Sequence, residues 1–139
     1  MNHDFKSQGG TAVECEQQVR AWLDVYFSAV ERRDLPAFLS CFEVSESFQV
    51  FENGDVYGWK EFEAFATNAF QFIVKVRLEL ERCYVDAVAP EFAVATGVFR
   101  GAGEDASGKP VKVRSAFTFV LHKIGNEWKV RHIHESPLA

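Results

Sequence analysis

The sequence predicts an α+β fold in which helices pack on one face of a mainly antiparallel sheet. Apolar residues recur with helical spacing in the first half of the chain. After Ile73 the apolar period changes to two, and four long strands follow in succession through short connections. Strands joined in this way pair antiparallel, and their apolar face has to be covered by helices.

The first helix is predicted from Val13 to about Arg33, because its apolar residues follow the spacing of an amphipathic helix. Asp34 has the character of an N-cap, and Pro36 lies in the first turn of a short second helix that ends at Phe42. Residues 1–12 are polar and include two adjacent glycines. We therefore expect a flexible leader at 1–12 and a single domain at 13–139.

The middle of the chain alternates between short strands and a third helix. Residues 47–51 are predicted as a strand, and residues 52–55 as a turn into a short strand at Val56-Tyr57. Gly58 then opens a third helix that runs to about Ile73. Glu52 and Asp55 flank the predicted turn, so we interpret both carboxylates as solvated.

The long strands begin at Val74. Their apolar set changes phase beyond Arg82, which predicts a bulge or bend at that point. Residues 92–100 form a strand with no polar side, so both of its faces are predicted to be covered. Residues 101–110 are rich in glycine and are predicted as a flexible loop.

The chain ends in a predicted hairpin whose two-residue turn is Gly125-Asn126. Uninterrupted pairing from that turn places His132 opposite Phe119 and His134 opposite Phe117. These residues and Ser136 then share one face, which we interpret as the floor of a pocket. The opposite face carries Arg114 and Glu135 as a diagonal pair. A bulge would shift this register by one residue.

Composition excludes several classes of protein. The chain carries 15 basic and 20 acidic residues and a net charge of −5, and no basic run suits nucleic acid. No apolar stretch is long enough for a membrane helix, and no signal peptide is recognisable. The cysteines Cys15, Cys41 and Cys83 are far apart, which favours reduced thiols in a cytoplasmic protein. We expect no cofactor and no metal.

Two motifs carry a resemblance to a known superfamily. They are G-x-V-Y-G-W-x-x-F before the third helix and W-K-V-R-H-I-H-E-S at the end of the chain. With the order of elements, they resemble the SnoaL-like branch of the nuclear-transport-factor-2-like superfamily, including the association domain of calcium/calmodulin-dependent protein kinase. The resemblance covers about residues 13–137.

The resemblance implies a cystatin-like cone, a strongly curved mixed or antiparallel sheet wrapped around three helices with an apolar cavity inside. It also implies a homodimer formed through the outer sheet face. The superfamily hosts isomerases, dehydratases, cyclases and non-catalytic assembly modules, so the fold alone does not select an activity. Relatives of ketosteroid isomerase use a tyrosine of the first helix, a position that Tyr26 can fill. They also use acidic residues, for which the sequence shows no matching pair on the predicted pocket face.

His132 and His134 are the candidate acid and base, because imidazoles titrate near neutral pH. The same histidines also suit ligand binding or a structural contact, and Tyr26 suits either a hydrogen bond to a carbonyl or the helix core. Other predicted pocket residues are Trp22, Phe51, Trp59, Phe65, Phe117, Phe119 and Ser136. We therefore expect a dimeric protein that binds a small apolar or carboxylate-bearing molecule. The alternatives are a cofactor-independent isomerase, dehydratase or cyclase, and an oligomerisation module.

Overall fold

The computed structural model describes residues 9–52 and 54–139, and it contains three helices and six strands. The helices are α1 (Gly9–Glu31), α2 (Leu35–Leu39) and α3 (Trp59–Phe72). The strands are β1 (Gln49–Glu52), β2 (Asp55–Tyr57), β3 (Ile73–Ala89), β4 (Phe92–Asp105), β5 (Pro110–Ile124) and β6 (Glu127–Pro137). Most of the predicted leader and the predicted turn residue Asn53 lie outside the described residues. Residues 9–12 belong to α1, so this helix begins earlier than the predicted Val13.

The helix boundaries follow from local chemistry. At the start of α2 the Asp34 carboxylate accepts a hydrogen bond of 3.1 Å from the backbone N–H of Ala37. At the start of α3 the Glu61 carboxylate accepts one of 3.1 Å from the backbone N–H of Gly58. Both contacts satisfy amide groups that have no partner inside the helix, so both helices begin where the sequence predicts. No helix in the described part of the chain is long and apolar enough to cross a membrane.

The six strands form one curved, unclosed sheet in the order β2-β1-β6-β5-β4-β3. Every neighbouring pair is antiparallel except β1 and β6, which run parallel. This one parallel pair makes the sheet mixed. It places the short β1 beside β6, the last strand of the chain. Glu52 and Glu135 become direct neighbours in that pair.

The bulge predicted near Arg82 is present where β3 pairs with β4. A Cβ atom on Gly97 would lie only 2.4 Å from the carbonyl oxygen of Arg82, so the bulged strand requires glycine here. Residues 101–105 are not a loop, because β4 continues to Asp105. The Asp105 carboxylate instead accepts hydrogen bonds of 2.9 Å from the backbone N–H groups of Ser107 and Lys109, and so closes a tight turn.

The core lies between the inner sheet face and the helices. Its largest fully buried side chains include Phe48, Phe119, Leu23 and Leu121, each no more than 1% exposed. Aromatic rings meet edge to face throughout this core, as between Phe42 and Phe48 at 5.7 Å. Helix α1 packs along β3 and β4, and the short α2 packs against α1 and α3. The cone predicted from the resemblance is thus present, with helices on its inner side.

The terminal hairpin turns at Gly125-Asn126 as predicted, and its first pairs, up to Leu121 with Val130, have the expected register. Arg131 is then an extra residue on β6, so that His132 pairs with Val120 instead of Phe119. The physical reason is a change of partner. The backbone of Val130 hydrogen-bonds to Cys41 and Glu43, whereas His132 already pairs with β1.

Candidate functional site

A cavity of about 280 Å³ lies between the inner face of the sheet and helices α1, α2 and α3. Its volume approaches the lower end of small-ligand pockets, which begin at about 300 Å³. Its walls are mainly apolar, with aliphatic residues and the aromatic residues Tyr26, Phe27, Phe38, Phe62, Phe65, Phe70, Phe99 and Phe119. Only four lining residues carry a polar side chain, namely Tyr26, Arg33, Glu52 and Glu135. A few polar groups in an apolar wall are typical of a site that orients a small molecule.

Glu52 and Glu135 form a carboxyl pair inside this cavity. The parallel register of β1 and β6 places them side by side, and their side chains are hydrogen-bonded to each other. Burial, and then the charge of Glu52 and the hydrogen bond to it, together raise the pKa of Glu135 to about 8. Burial also raises the pKa of Glu52. The raised pKa of Glu135 favours its protonated form, which donates the hydrogen bond to Glu52.

The Tyr26 side chain lies on the cavity wall and is 8% exposed. Its ring stacks on Trp22 at 5.2 Å and meets Phe119 edge to face at 5.3 Å, so its position is fixed. Burial, and then the negative charges of Glu135 and Glu52, raise the pKa of Tyr26 well above its usual value. The hydroxyl is thus a neutral hydrogen-bond donor within the electrostatic influence of the carboxyl pair.

Arg33 supplies the one positive charge of the cavity wall. Its guanidinium lies 4.2 Å from the ring centre of Phe70 and donates hydrogen bonds to the carbonyl oxygens of Val30 at 3.2 Å and Phe70 at 2.6 Å. Burial lowers the pKa of Arg33 from its usual value. The side chain is held in one place by backbone acceptors rather than by an acidic partner.

The prediction that His132 and His134 floor the pocket is wrong. Because of the bulge at Arg131, both histidines lie on the outer face of the sheet, whereas Ile133 and Glu135 line the cavity. There they contact the Phe51 ring, with centroids 5.4 Å from His132 and 6.1 Å from His134. Burial, and then the neighbouring His134, lower the pKa of His132.

The other predicted pocket residues are divided between several locations. Phe65 and Phe119 line the cavity, as does Tyr26. Phe51 and Ser136 lie on the outer face with the histidines. Trp22, Trp59 and Phe117 pack in or against the core and are not part of the cavity wall.

The sequence interpretation missed both members of the carboxyl pair. Glu52 was interpreted as a solvated turn residue, and Glu135 was placed on the outer face beside Arg114. Arg114 instead forms an ion pair of 2.8 Å with Glu81. The spacing of apolar residues in the last strand indicates the bulge. Val130 and Ile133 are both buried and lie three positions apart, whereas side chains on one face of an unbroken strand are separated by an even number of positions.

This arrangement has the components of acid–base chemistry on a small molecule. A carboxylic acid and a carboxylate that share a proton supply a donor and an acceptor at one place. A neutral phenol nearby can donate a hydrogen bond to an oxygen that becomes negative during a reaction. The described residues contain no group of three or more side chains suited to a metal ion.

An open curved sheet around three helices, with a cavity on its inner side, is the fold of solved proteins described as nuclear-transport-factor-2-like. More narrowly, the chain belongs to the SnoaL-like domain family, whose model matches residues 19–139. No curated protein matches the chain in sequence.

Solved structures with the same fold carry different functional names. A candidate calcium/calmodulin-dependent protein kinase II association domain from Xanthomonas campestris is 19% identical, with a TM-score of 0.74. The alignment covers 86% of this chain and 85% of that domain. A candidate scytalone dehydratase from Novosphingobium aromaticivorans is 10% identical, with a TM-score of 0.84 and coverages of 94% and 89%. A ketosteroid isomerase-like protein from Erwinia carotovora is 17% identical, with a TM-score of 0.71 and coverages of 88% and 95%. At these identities, the likeness shows the fold alone.

Proposed function

We propose that the protein is a cofactor-independent enzyme of the isomerase, dehydratase or cyclase type, acting on a small and mainly apolar molecule. The observation that carries this proposal is the carboxyl pair Glu52 and Glu135, which lies side by side in an otherwise mainly apolar cavity. Burying such a pair costs free energy, so a fold that retains it without a function would be unusual. Similarity to solved structures named as a candidate dehydratase and a ketosteroid isomerase-like protein supports the same class.

In this proposal the two carboxyl groups have different roles. The Glu52 carboxylate takes a proton from a carbon next to a carbonyl group of the substrate, because it is the acceptor of the hydrogen bond within the pair. The Glu135 carboxylic acid donates its proton to the substrate, either to carbon in an isomerisation or to a departing hydroxyl in a dehydration. The Tyr26 hydroxyl donates a hydrogen bond to the carbonyl oxygen as negative charge develops there.

The test is exchange of carbon-bound hydrogen for deuterium in a simple ketone, because it detects proton removal without knowledge of the physiological substrate. We choose 2-tetralone in D₂O, followed by proton NMR. The wild-type protein is expected to accelerate exchange over buffer, and Glu52→Gln to slow the protein-dependent rate by about 10²-fold to 10⁴-fold. Glu127→Gln on the same hairpin is the matched control and is expected to retain the full rate.

Two outcomes contradict this proposal. One is a wild-type exchange rate equal to that of buffer, which removes the evidence for a base in the cavity. The other is equal loss of exchange in Glu52→Gln and Glu127→Gln, since an exposed turn carboxylate has no route to the ligand. Circular dichroism of each variant establishes that the fold is intact before the rates are compared.

We further propose that the outer face of the sheet forms a homodimer contact. Phe51 is 37% exposed and Tyr84 is 67% exposed on this face. The row across the sheet between them consists of His134, Thr118 and Thr96, and Val94 and Val98 flank Thr96 on β4. Analytical ultracentrifugation is expected to give the mass of a dimer for the wild-type chain and of a monomer for Phe51→Asp. Val25→Asp, at an exposed position of α1, is the control that should leave the mass unchanged. A monomeric wild-type chain would exclude the dimer.

A further inference from the structure

Helix α1 ends in a hydrogen-bonding pattern that normally requires glycine. The backbone N–H of Arg33 bonds to the carbonyl of Val30 at 3.1 Å, and the N–H of Asp34 bonds to that of Ala29 at 3.0 Å. These two bonds define a Schellman motif, in which the residue after the helix adopts a left-handed conformation. Arg33 occupies that position with a φ of 58°. It is the one residue other than glycine with a positive φ in the described part of the chain.

Backbone strain clusters at functional sites, so a strained residue on a cavity wall suggests a functional role for its side chain. The left-handed conformation directs the Arg33 side chain to a cavity wall built largely from aromatic and aliphatic residues. Two backbone carbonyls and the face of Phe70 then fix the guanidinium, so little side-chain entropy is left to lose when a ligand binds. This site is preorganised before any ligand arrives.

The charge of Arg33 has no acidic partner among the described residues. The neighbouring Arg32 contacts the Asp34 carboxylate at 3.5 Å, but Arg33 contacts only carbonyl oxygens and a ring. Its Nε atom is buried and makes no hydrogen bond within the described part of the chain. A guanidinium has five N–H donors in a planar fork, and the two carbonyls leave donors free. A half-buried cation of this kind fits an anionic group of a ligand.

We propose that Arg33 binds a carboxylate on the substrate, so that the protein acts on a small carboxylic acid with an apolar body. This proposal rests on the proposed function, because it takes the cavity as the substrate site. The acid group of the substrate is held by Arg33, while the carbon that loses its proton faces Glu52 and Glu135.

The test compares two probes of the same shape that differ in charge, 3-phenylpropanoate and 3-phenylpropanamide. Isothermal titration calorimetry of the wild-type chain is expected to give an affinity for the acid about tenfold to hundredfold above that for the amide, the range of a charged hydrogen bond. Arg33→Met is expected to bring this ratio close to one. Arg32→Met is the matched control, since it removes the adjacent exposed arginine and should leave the ratio unchanged.

Arg33→Gly separates recognition from folding. Glycine suits the left-handed position, so this variant is expected to unfold at no lower a urea concentration than Arg33→Met while also losing the preference for the acid. Equal affinities of the wild-type chain for acid and amide would overturn the proposal. Absence of binding of both probes would overturn it too, because a cavity that excludes them cannot use Arg33 in this way.

The two experiments distinguish failure of the Arg33 proposal from failure of the proposed acid–base function. A wild-type chain that prefers the acid but exchanges no ketone protons supports Arg33 as a carboxylate site and refutes the acid–base role of the carboxyl pair. A chain that catalyses exchange but binds acid and amide equally gives the reverse result. Glu52→Gln provides the internal check, since it should slow the protein-dependent exchange and leave the preference for the acid in place.

Discussion

Replacing Glu135 with glutamine should flatten the pH dependence of folding stability. The folded protein holds the proton of Glu135 up to about pH 8, whereas the ordinary pKa of glutamate is 4.5. The unfolded chain therefore loses this proton first as the pH rises. Stability from Glu135 is fully present below its ordinary pKa and decreases as the pH rises through the folded-state value. Glutamine has the same shape, carries no charge and can still donate a hydrogen bond to Glu52.

The expected magnitude follows from the pKa values. Moving the pKa from 4.5 to about 8 corresponds to at most about 5 kcal/mol. Between about pH 5 and about pH 9, the wild-type free energy of unfolding should fall by up to about 4 kcal/mol more than that of Glu135→Gln. Burial lowers the pKa of His132, but this residue is present in both proteins, so its titration cancels in the comparison. The difference between the two curves therefore isolates Glu135.

The assay is urea unfolding followed by tryptophan fluorescence at several pH values across this range. Glu127→Gln is the control, because Glu127 lies at the exposed turn of the same hairpin and should follow the wild-type curve. Parallel curves for the wild-type chain and Glu135→Gln would refute the reasoning, since they would mean that Glu135 is ionised in the folded protein. In that case the proton that the proposed mechanism assigns to Glu135 is absent.

Two further predictions concern the scaffold that holds the cavity. Gly97→Ala should destabilise the protein by about 1–3 kcal/mol in urea unfolding, because its Cβ would approach the Arg82 carbonyl to 2.4 Å. A variant as stable as the wild-type chain would contradict this, since it would mean that the β3 bulge adjusts to the added methyl group at little cost. Asp34→Ala should cost about 1 kcal/mol, because the N–H of Ala37 loses its cap; an unchanged urea midpoint, with Ser47→Ala as the exposed control, would contradict the capping role.

The positions of the helices and strands were largely predictable because they depend on local spacing. The short α2 begins at Asp34 because its carboxylate caps the helix, and β3 bulges where its apolar phase changes. The boundary errors arose from the same local view. Glycines near residue 101 suggested a loop, but β4 continues there because strands on both sides supply hydrogen bonds.

The candidate site was predictable only in part. Tyr26, Phe65 and Phe119 line the cavity because their elements present those faces inward, as their spacing indicates. The functional assignment of the last strand failed at a single residue, since the extra Arg131 reversed the faces of everything after it. His132 thereby moved to the outer surface, and Glu135 took a place inside the cavity.

The sequence by itself determined that the chain forms helices followed by a curved sheet, and which family motifs it carries. Only the tertiary structure decided which two carboxyl groups form a pair in the cavity. Glu52 and Glu135 are distant in the sequence and become neighbours because β1 pairs in parallel with β6. No local pattern encodes that pairing. It depends on the point along β6 at which pairing with Phe42 ends and pairing with β1 begins. Alternation along a strand fixes two faces, but long-range pairing decides which face meets the cavity.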